Sequence, residues 1–348
     1  MVGASEQVAV VGGGVIGLSV AWRLAGSGRR VVLVDPAPAS GASWIAGGML
    51  APVTEAWPGE EAGLALGLES VKRWPAFADE LGSGLLNATG TLIVAVDAAD
   101  SGQLELLAAH LGELGRDVER LSARELRAVE PGVAATVRSG LSVPGDLAVD
   151  NRRLLSALLE GCRRRGVRFV REPVVSVGPG SVALDESTVE CGVAVVAAGA
   201  WSAGLHPALA GLVRPVKGEI LRLRARRGSL PPPRRTVRAL VESRPLYLVP
   251  RPGGELVVGA TQYEVGYDSD VTVSGVADLL ADARRVWPSL GDYALVESAA
   301  GLRAGSTDNR PVIDWLEPGV LAATGHHRNG LLLAPVTADR VLELVASR

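Results

Sequence analysis

The chain has 348 residues, 47% hydrophobic and 21% charged, a composition that excludes a disordered chain and suits about two globular domains. Lys+Arg is 35 against 38 Asp+Glu, a net charge of −3, so no overall positive field draws in nucleic acid or an anionic membrane. Two cysteines, Cys162 and Cys191, are too few for a disulfide framework or a zinc site and fit a reducing compartment.

Met1–Gln7 carries Glu6 and no Lys or Arg, unlike the positive start of a secretory signal. Gln7–Val11 reads as a buried strand, Gly12–Gly17 as a turn, Leu18–Ala25 as a helix and Arg30–Val34 as a second strand ending at Asp35. This strand–helix–strand unit is the building block of a parallel sheet. Ala37–Pro52 reads as a Gly/Ala/Ser loop, Ala62–Leu81 as a helix and Thr91–Val96 as a strand. Ala99–Leu114, Ala123–Val129 and Asn151–Arg165 have helical spacing. Short strands follow at Val167–Val170, Val174–Val177, Ser181–Leu184 and Val193–Ala198.

From Val216 to Ala260 the pattern changes. Glu219–Leu223, Pro245–Val249 and Leu256–Gly259 are strands separated by turn residues, with no helix between them, which predicts antiparallel pairing. Arg222–Arg238 holds seven arginines and no acid around Pro231–Pro233. It lacks interleaved aromatics for stacking bases, so a solvated hairpin loop is expected there. Val276–Trp287 reads as a helix, Ala299–Arg303 and Val320–Thr324 as strands, and Leu331–Ala346 as a closing helix. The uncharged stretches Val8–Trp22 and Cys191–Val213 do not read as spanning helices: the first is too short, and the second is broken by glycines, His206 and Pro207. A cytoplasmic protein with no membrane or nucleic-acid partner is expected.

The predicted class is α/β, a doubly wound Rossmann-like dinucleotide domain interleaved with an antiparallel-sheet α+β domain. Residues 1–85, 145–213 and 300–348 are assigned to the first, 86–144 and 214–299 to the second. The strongest chemical signal is Gly12-Gly13-Gly14-Val15-Ile16-Gly17 between a strand and a helix, with Asp35 eighteen positions beyond Gly17. Gly12 permits the turn, Gly14 lets backbone approach a pyrophosphate at the helix N-terminus, Gly17 lets helix and strand pack, and Asp35 accepts from a ribose diol. The motif does not choose between NAD and FAD. His326 and His327 are adjacent, with no further ligands nearby in sequence, so no metal site is expected.

Eight segments in order carry a family likeness: VAVVGGGVIGLSVAWRL (8–24), IAGGMLAP (45–52), VVAAGAWS (195–202), RPVKGE (214–219), YLVPR (247–251), LVVGAT (256–261), AGLRAGSTDNRP (300–311) and GHHRNGLLLAP (325–335). With them the chain resembles the D-amino-acid-oxidase-like flavoproteins, and within these the glycine-oxidising branch of thiamine biosynthesis. The resemblance implies non-covalent FAD and oxidation of glycine, sarcosine or D-amino acids. Hydride passes from Cα to flavin and O2 becomes H2O2. The imine hydrolyses to glyoxylate or passes to thiazole synthase, and the enzyme is a homo-oligomer.

The resemblance also implies site roles. Arg303 and Tyr247 bind the substrate carboxylate, with Arg328, Met49 and Gln262 beside the substrate. Gly12, Gly14, Val15, Ile16, Gly17, Asp35, Pro36, Ser43, Gly47, Gly48, Met49 and Val174 line the cofactor, as do His327, Arg328, Asn329, Gly330, Leu331 and Leu332. No residue acts as an acid or base. Gln262 stands where a Met is usual and His327 where an aromatic is usual. Gln262 keeps another D-amino acid or amine open as substrate, and an NAD-dependent dehydrogenase is the alternative from a different cofactor class.

Overall fold

The computed structural model describes residues 6–56, 58–116 and 118–347. Most of the leading segment considered for a signal lies outside these. Gln7–Val11 lies inside a six-stranded sheet, paired in parallel with Arg30–Val34 on one side and Val193–Val196 on the other. Arg168–Val170 extends the first side in parallel. Val320–Thr324 extends the second, and Val312–Glu317 closes it antiparallel.

These strands are continuous apolar runs because both faces of the sheet are covered. Val8 and Val10 face a helical layer and pack with Leu18, Leu158 and Val336. That layer includes the helices Val15–Gly26, Asn151–Arg164 and Gly330–Ala346. Ala9 and Val11 point the other way, onto a small antiparallel sheet of Val174–Gly178, Ser181–Leu184 and Thr188–Glu190. Within the α/β class, then, the second face is covered by strands rather than by a second helix layer.

The other large sheet has eight strands, with Ala294–Ser306, Val213–Arg224, Glu255–Gly259 and Arg244–Arg251 side by side in that order. Its pairs are antiparallel except Thr236–Val241 against Thr91–Ala95, which run in parallel. Period-two alternation splits its faces. Leu246, Leu248, Leu256 and Val258 pack with the helix Val273–Val286, whereas Tyr247, Val249 and Val257 gather with Met49 and Ile220 on the face toward the nucleotide sheet.

Three local readings change. The loop 37–52 contains a helical turn, Gly41–Ile45, and a short strand, Met49–Leu50, that pairs with Leu147–Val149. The arginine-rich stretch is a loop only in its middle, since Arg222 lies in one strand and Arg238 in another. Arg222 is buried. The strand expected at Ala299–Arg303 extends over Ala294–Ser306, so residues 300–306 hydrogen-bond within the eight-stranded sheet, past the division expected at 299/300. No helix among the described residues is long and apolar enough to cross a membrane.

Candidate active site

Two adjoining cavities lie where the two large sheets meet. The first, about 460 Å³, is lined by Gly12, Gly14, Val15, Ile16, Asp35, Pro36, Ser43, Val174, His327 and Gly330, together with Arg303. Gly12 has φ of +106°, and a Cβ there would stand 2.3 Å from the Ala197 carbonyl oxygen. A Cβ on Gly17 would stand 1.9 Å from the Gly12 oxygen, so Gly17 sits beneath the turn rather than in the cavity wall. The helix Val15–Gly26 starts at Gly14 with no side-chain cap. Its first N–H groups and the helix dipole therefore favour an anion there. The Val15 N–H donates to Ser43 Oγ at 3.0 Å.

Asp35 shapes this loop from within: Oδ2 accepts from the Gly13 N–H and Oδ1 from the Ala37 N–H, each at 2.7 Å. A carboxylate has about four lone-pair sites, so two bonds leave capacity for a ribose diol. His327 lines both cavities. Its backbone is left-handed, with φ of 49°, and its buried Nδ1 has no hydrogen-bond partner among the described residues. Burial first, then Arg328, Arg303 and Arg214, lower its pKa to about 4, so the ring is neutral near pH 7. An orphan nitrogen at the seam, a glycine cradle and an uncapped helix start fit a dinucleotide whose ring system reaches the second cavity.

That second cavity, about 280 Å³, is lined by Gly47, Gly48, Met49, Tyr247, Gln262, Arg303, Arg328 and Leu331, among others. Arg303 lies opposite Val216 on the neighbouring strand. Its Nη1 donates to the Thr261 oxygen at 3.2 Å and the Lys217 oxygen at 3.4 Å. No carboxylate among the described residues forms a salt bridge with it. Burial lowers its pKa, yet an arginine so placed stays cationic. A Cβ on Gly218 would stand 2.3 Å from both terminal nitrogens, so the guanidinium rests on bare backbone. Tyr247 is similarly enclosed: added Cβ atoms would meet its ring at 2.7 Å from Gly47 and its Oη at 2.3 Å from Gly259. Burial raises the Tyr247 pKa, which keeps the hydroxyl protonated and able to donate.

Asn329 and Leu332 line neither cavity. They border a third pocket on the far side of Arg328, and the Leu332 carbonyl accepts from Ser70 Oγ at 2.6 Å and Trp74 Nε1 at 2.9 Å. Arg328 pairs with Glu60 at 2.5 Å and Glu55 at 3.4 Å, and Glu55 also meets Arg238 at 3.6 Å. Glu55, Arg238, Thr261 and Gly218 line the second cavity without having been singled out in the sequence. Arg238 was hidden in a run of arginines, and Glu55 lies in a stretch without periodicity. Gly218 did carry a signal, as the glycine of RPVKGE.

The loop between the cavities is held from behind. Arg251 donates to the Gly47 oxygen at 2.6 Å, and Asn151 Nδ2 donates to the Ser43 and Trp44 oxygens at 2.9 and 2.8 Å. Lys217, nearly inaccessible, bonds Asp268 at 2.7 Å. That contact ties the strand under Arg303 to the segment after Gln262.

Residues 7–344 match the family described as DAO, FAD dependent oxidoreductase. The chain is 32% identical over 356 residues to a bifunctional protein ThiO/ThiG of Synechocystis, covering 98% of this chain but 52% of that one, so it spans about half of that relative's length. It is 34% identical over 337 residues to a putative thiamine biosynthesis oxidoreductase ThiO of Rhizobium etli, covering 96% and 95%. The crystal structure of glycine oxidase from Geobacillus kaustophilus superposes with a TM-score of 0.89 at 31% identity, covering 99% of this chain and 95% of that one. With that extent of match, the chain belongs to the DAO family of FAD dependent oxidoreductases.

Proposed function

We propose that the protein oxidises glycine and comparably small amino acids or amines, with dioxygen as the final acceptor. The observation that carries this reading is Arg303: a half-buried guanidinium with no salt-bridged acid among the described residues, facing both cavities. A guanidinium fork pairs with a carboxylate through two hydrogen bonds, which fixes distance and direction together. The protonated Tyr247 hydroxyl supplies a third donor to the same carboxylate. The enclosing glycines leave no freedom for either side chain to drift, which holds the substrate Cα in one place.

The residues that would hold FAD line both cavities: the N-terminal turn would take the pyrophosphate and Asp35 the ribose in the first, and Gly47–Met49, His327, Arg328, Gly330 and Leu331 would take the ring system in the second. When bound, FAD supplies the two-electron redox chemistry. The protein's share is alignment, exclusion of water and positive charge. Arg303 and Arg328, with the dipole of the helix starting at Gly330, favour negative charge developing beside them. A neutral His327 adds a hydrogen-bonding group without competing for the carboxylate.

The resulting imine hydrolyses to glyoxylate and ammonia or passes to thiazole synthase. Relatives named as a bifunctional ThiO/ThiG protein and a thiamine biosynthesis oxidoreductase support the second fate. A cytoplasmic homo-oligomer is part of the same reading. Gln262 in the cavity wall favours a second reading, in which sarcosine or a D-amino acid is turned over faster than glycine. The purified holoprotein is expected to be yellow, to be bleached by glycine without air, and to release peroxide in air. Absence of bleaching by glycine, sarcosine, D-alanine and D-proline alike refutes the proposal.

A further inference from the structure

The second cavity has more cationic groups than one carboxylate requires. Arg303, Arg328 and Arg238 line it, and Glu55 is the only acid among the described residues that do. Arg328 has a second acid, Glu60, on its outer side at 2.5 Å. Among the described residues Arg238 has one ion pair, with Glu55 at 3.6 Å, beside a hydrogen bond to the Thr54 carbonyl; Asp146 is also near, but burial raises its pKa to about 7, so it compensates Arg238 only in part. The Glu55 carboxylate is 13% exposed and close enough to Tyr247 and Arg303 to act on both electrostatically. The cavity wall therefore presents a masked cation, and the masking carboxylate is itself part of the lining.

We propose that Glu55 is a specificity-determining residue that restricts the cavity to amino acids bearing a single carboxylate, by neutralising Arg238 and repelling any second anionic group. The inference rests on the amino-acid-oxidase reading and deepens it. Two contributions act in the same direction. A second carboxylate entering the site meets Glu55 at close range in a water-poor cavity, where like charges are costly. The guanidinium that would otherwise receive it is already occupied. Discrimination of this kind works by an unfavourable contact with the wrong ligand, not by a better contact with the right one. An amino acid without a second acid meets no such opposition, and its ammonium or amine sits near a carboxylate.

The test uses holoenzyme and two unreactive ligands, acetate and malonate, whose dissociation constants are read from perturbation of the bound flavin's visible absorbance. Glu55→Gln keeps the shape and removes the charge. It is expected to raise the affinity for malonate relative to acetate by about tenfold or more. Glu55→Asp keeps the charge and is expected to stay near the native ratio. The double variant Glu55→Gln/Arg238→Gln is expected to lose the part of the gain that needs a free Arg238 and to keep the part that comes from lifting the repulsion. Should Glu55→Gln fail to retain flavin, Arg238→Gln alone serves, because it leaves Glu55 less compensated and is expected to lower the malonate-to-acetate ratio. A matching shift is expected in turnover of D-aspartate against D-alanine. A ratio unchanged by Glu55→Gln overturns the proposal, and so does a gain that survives loss of Arg238 undiminished. The ligand titrations need no turnover. Failure of the amine screen would therefore refute the oxidase reading while the ratio still reports on Glu55.

Discussion

The residues of the site are placed as much by missing side chains as by present ones. Arg303 reaches its position because Gly218 has no Cβ. Gly218→Ala is expected to push the guanidinium out of place and weaken acetate binding by about 1–3 kcal/mol, the range for overpacking a close contact. FAD is retained, because Gly218 lies outside the first cavity, and the measurement is again the flavin absorbance titration. Arg303→Ala removes the charge outright and should cost about 2–5 kcal/mol of carboxylate affinity, as when one partner of a buried charge pair is lost. Normal acetate affinity in that variant would contradict the assignment of Arg303. The two arginines with defined acid partners, Arg328 and Arg238, are tuned by Glu60 and Glu55.

Among the elements, the loop 43–48 depends most on support from elsewhere in the chain. It carries Ser43, Gly47 and Gly48 between the two cavities, and the turn Gly41–Ile45 that leads into it buries no residue. Its carbonyls are held by Asn151 and Arg251, and Asn151 opens a helix capped by the Asp150 side chain, which accepts from the Arg153 N–H. Asn151→Ala removes the Nδ2 bonds to the Ser43 and Trp44 carbonyls, leaving the Trp44 oxygen only Arg152 Nε at 3.3 Å. The expected cost is about 1–3 kcal/mol of stability, the range for leaving polar groups without partners. FAD affinity should fall with it, and quenching of flavin fluorescence on titration with apoprotein measures that. Asp150→Ala, by contrast, removes only the cap, for about 1 kcal/mol, measurable by denaturant unfolding. Strand and helix positions were legible wherever apolar period and breakers agreed, as at Gln7–Val11 and Gly330–Ala346. The turn Gly41–Ile45 was not, because its residues are helical through contacts with the eight-stranded sheet and the helix Asn151–Arg164, not through periodicity.

For the molecule as a whole, pH dependence follows from titratable groups buried in the fold. Asp146 is almost wholly inaccessible, and desolvation raises its pKa to about 7 against the ordinary 3.8, despite hydrogen bonds from Thr54 and the nearby Arg238. A carboxyl whose folded pKa is raised favours the fold most below its unfolded value, and that contribution is lost as pH rises through the folded value. The melting temperature of Asp146→Asn relative to the native protein should therefore climb as pH goes from about 4 to about 8. A flat difference across that range would show that Asp146 is not held protonated. His326 acts in the opposite direction. Its fully buried ring bonds Thr337 Oγ1 at 2.9 Å, and desolvation lowers its pKa to about 3, so its contribution is lost as pH falls below the ordinary 6.5. Comparing the single variants separates the two.

The amino-acid sequence by itself determined the parallel βαβ start, the glycine turn with Asp35 and the alternation between helical and antiparallel blocks. Each is local, set by apolar period, by residues that tolerate special backbone, or by spacings of a few tens of residues. Tertiary structure alone decided which charges compensate one another. Glu55, Glu60, Arg238 and Arg328 come together from three separate stretches of chain, and their pairing depends on how the two large sheets meet. Pairing between charges far apart in the chain carries no periodicity. Arg238 accordingly looked like one more cation in a polar loop until the fold placed it, half-buried, beside Glu55.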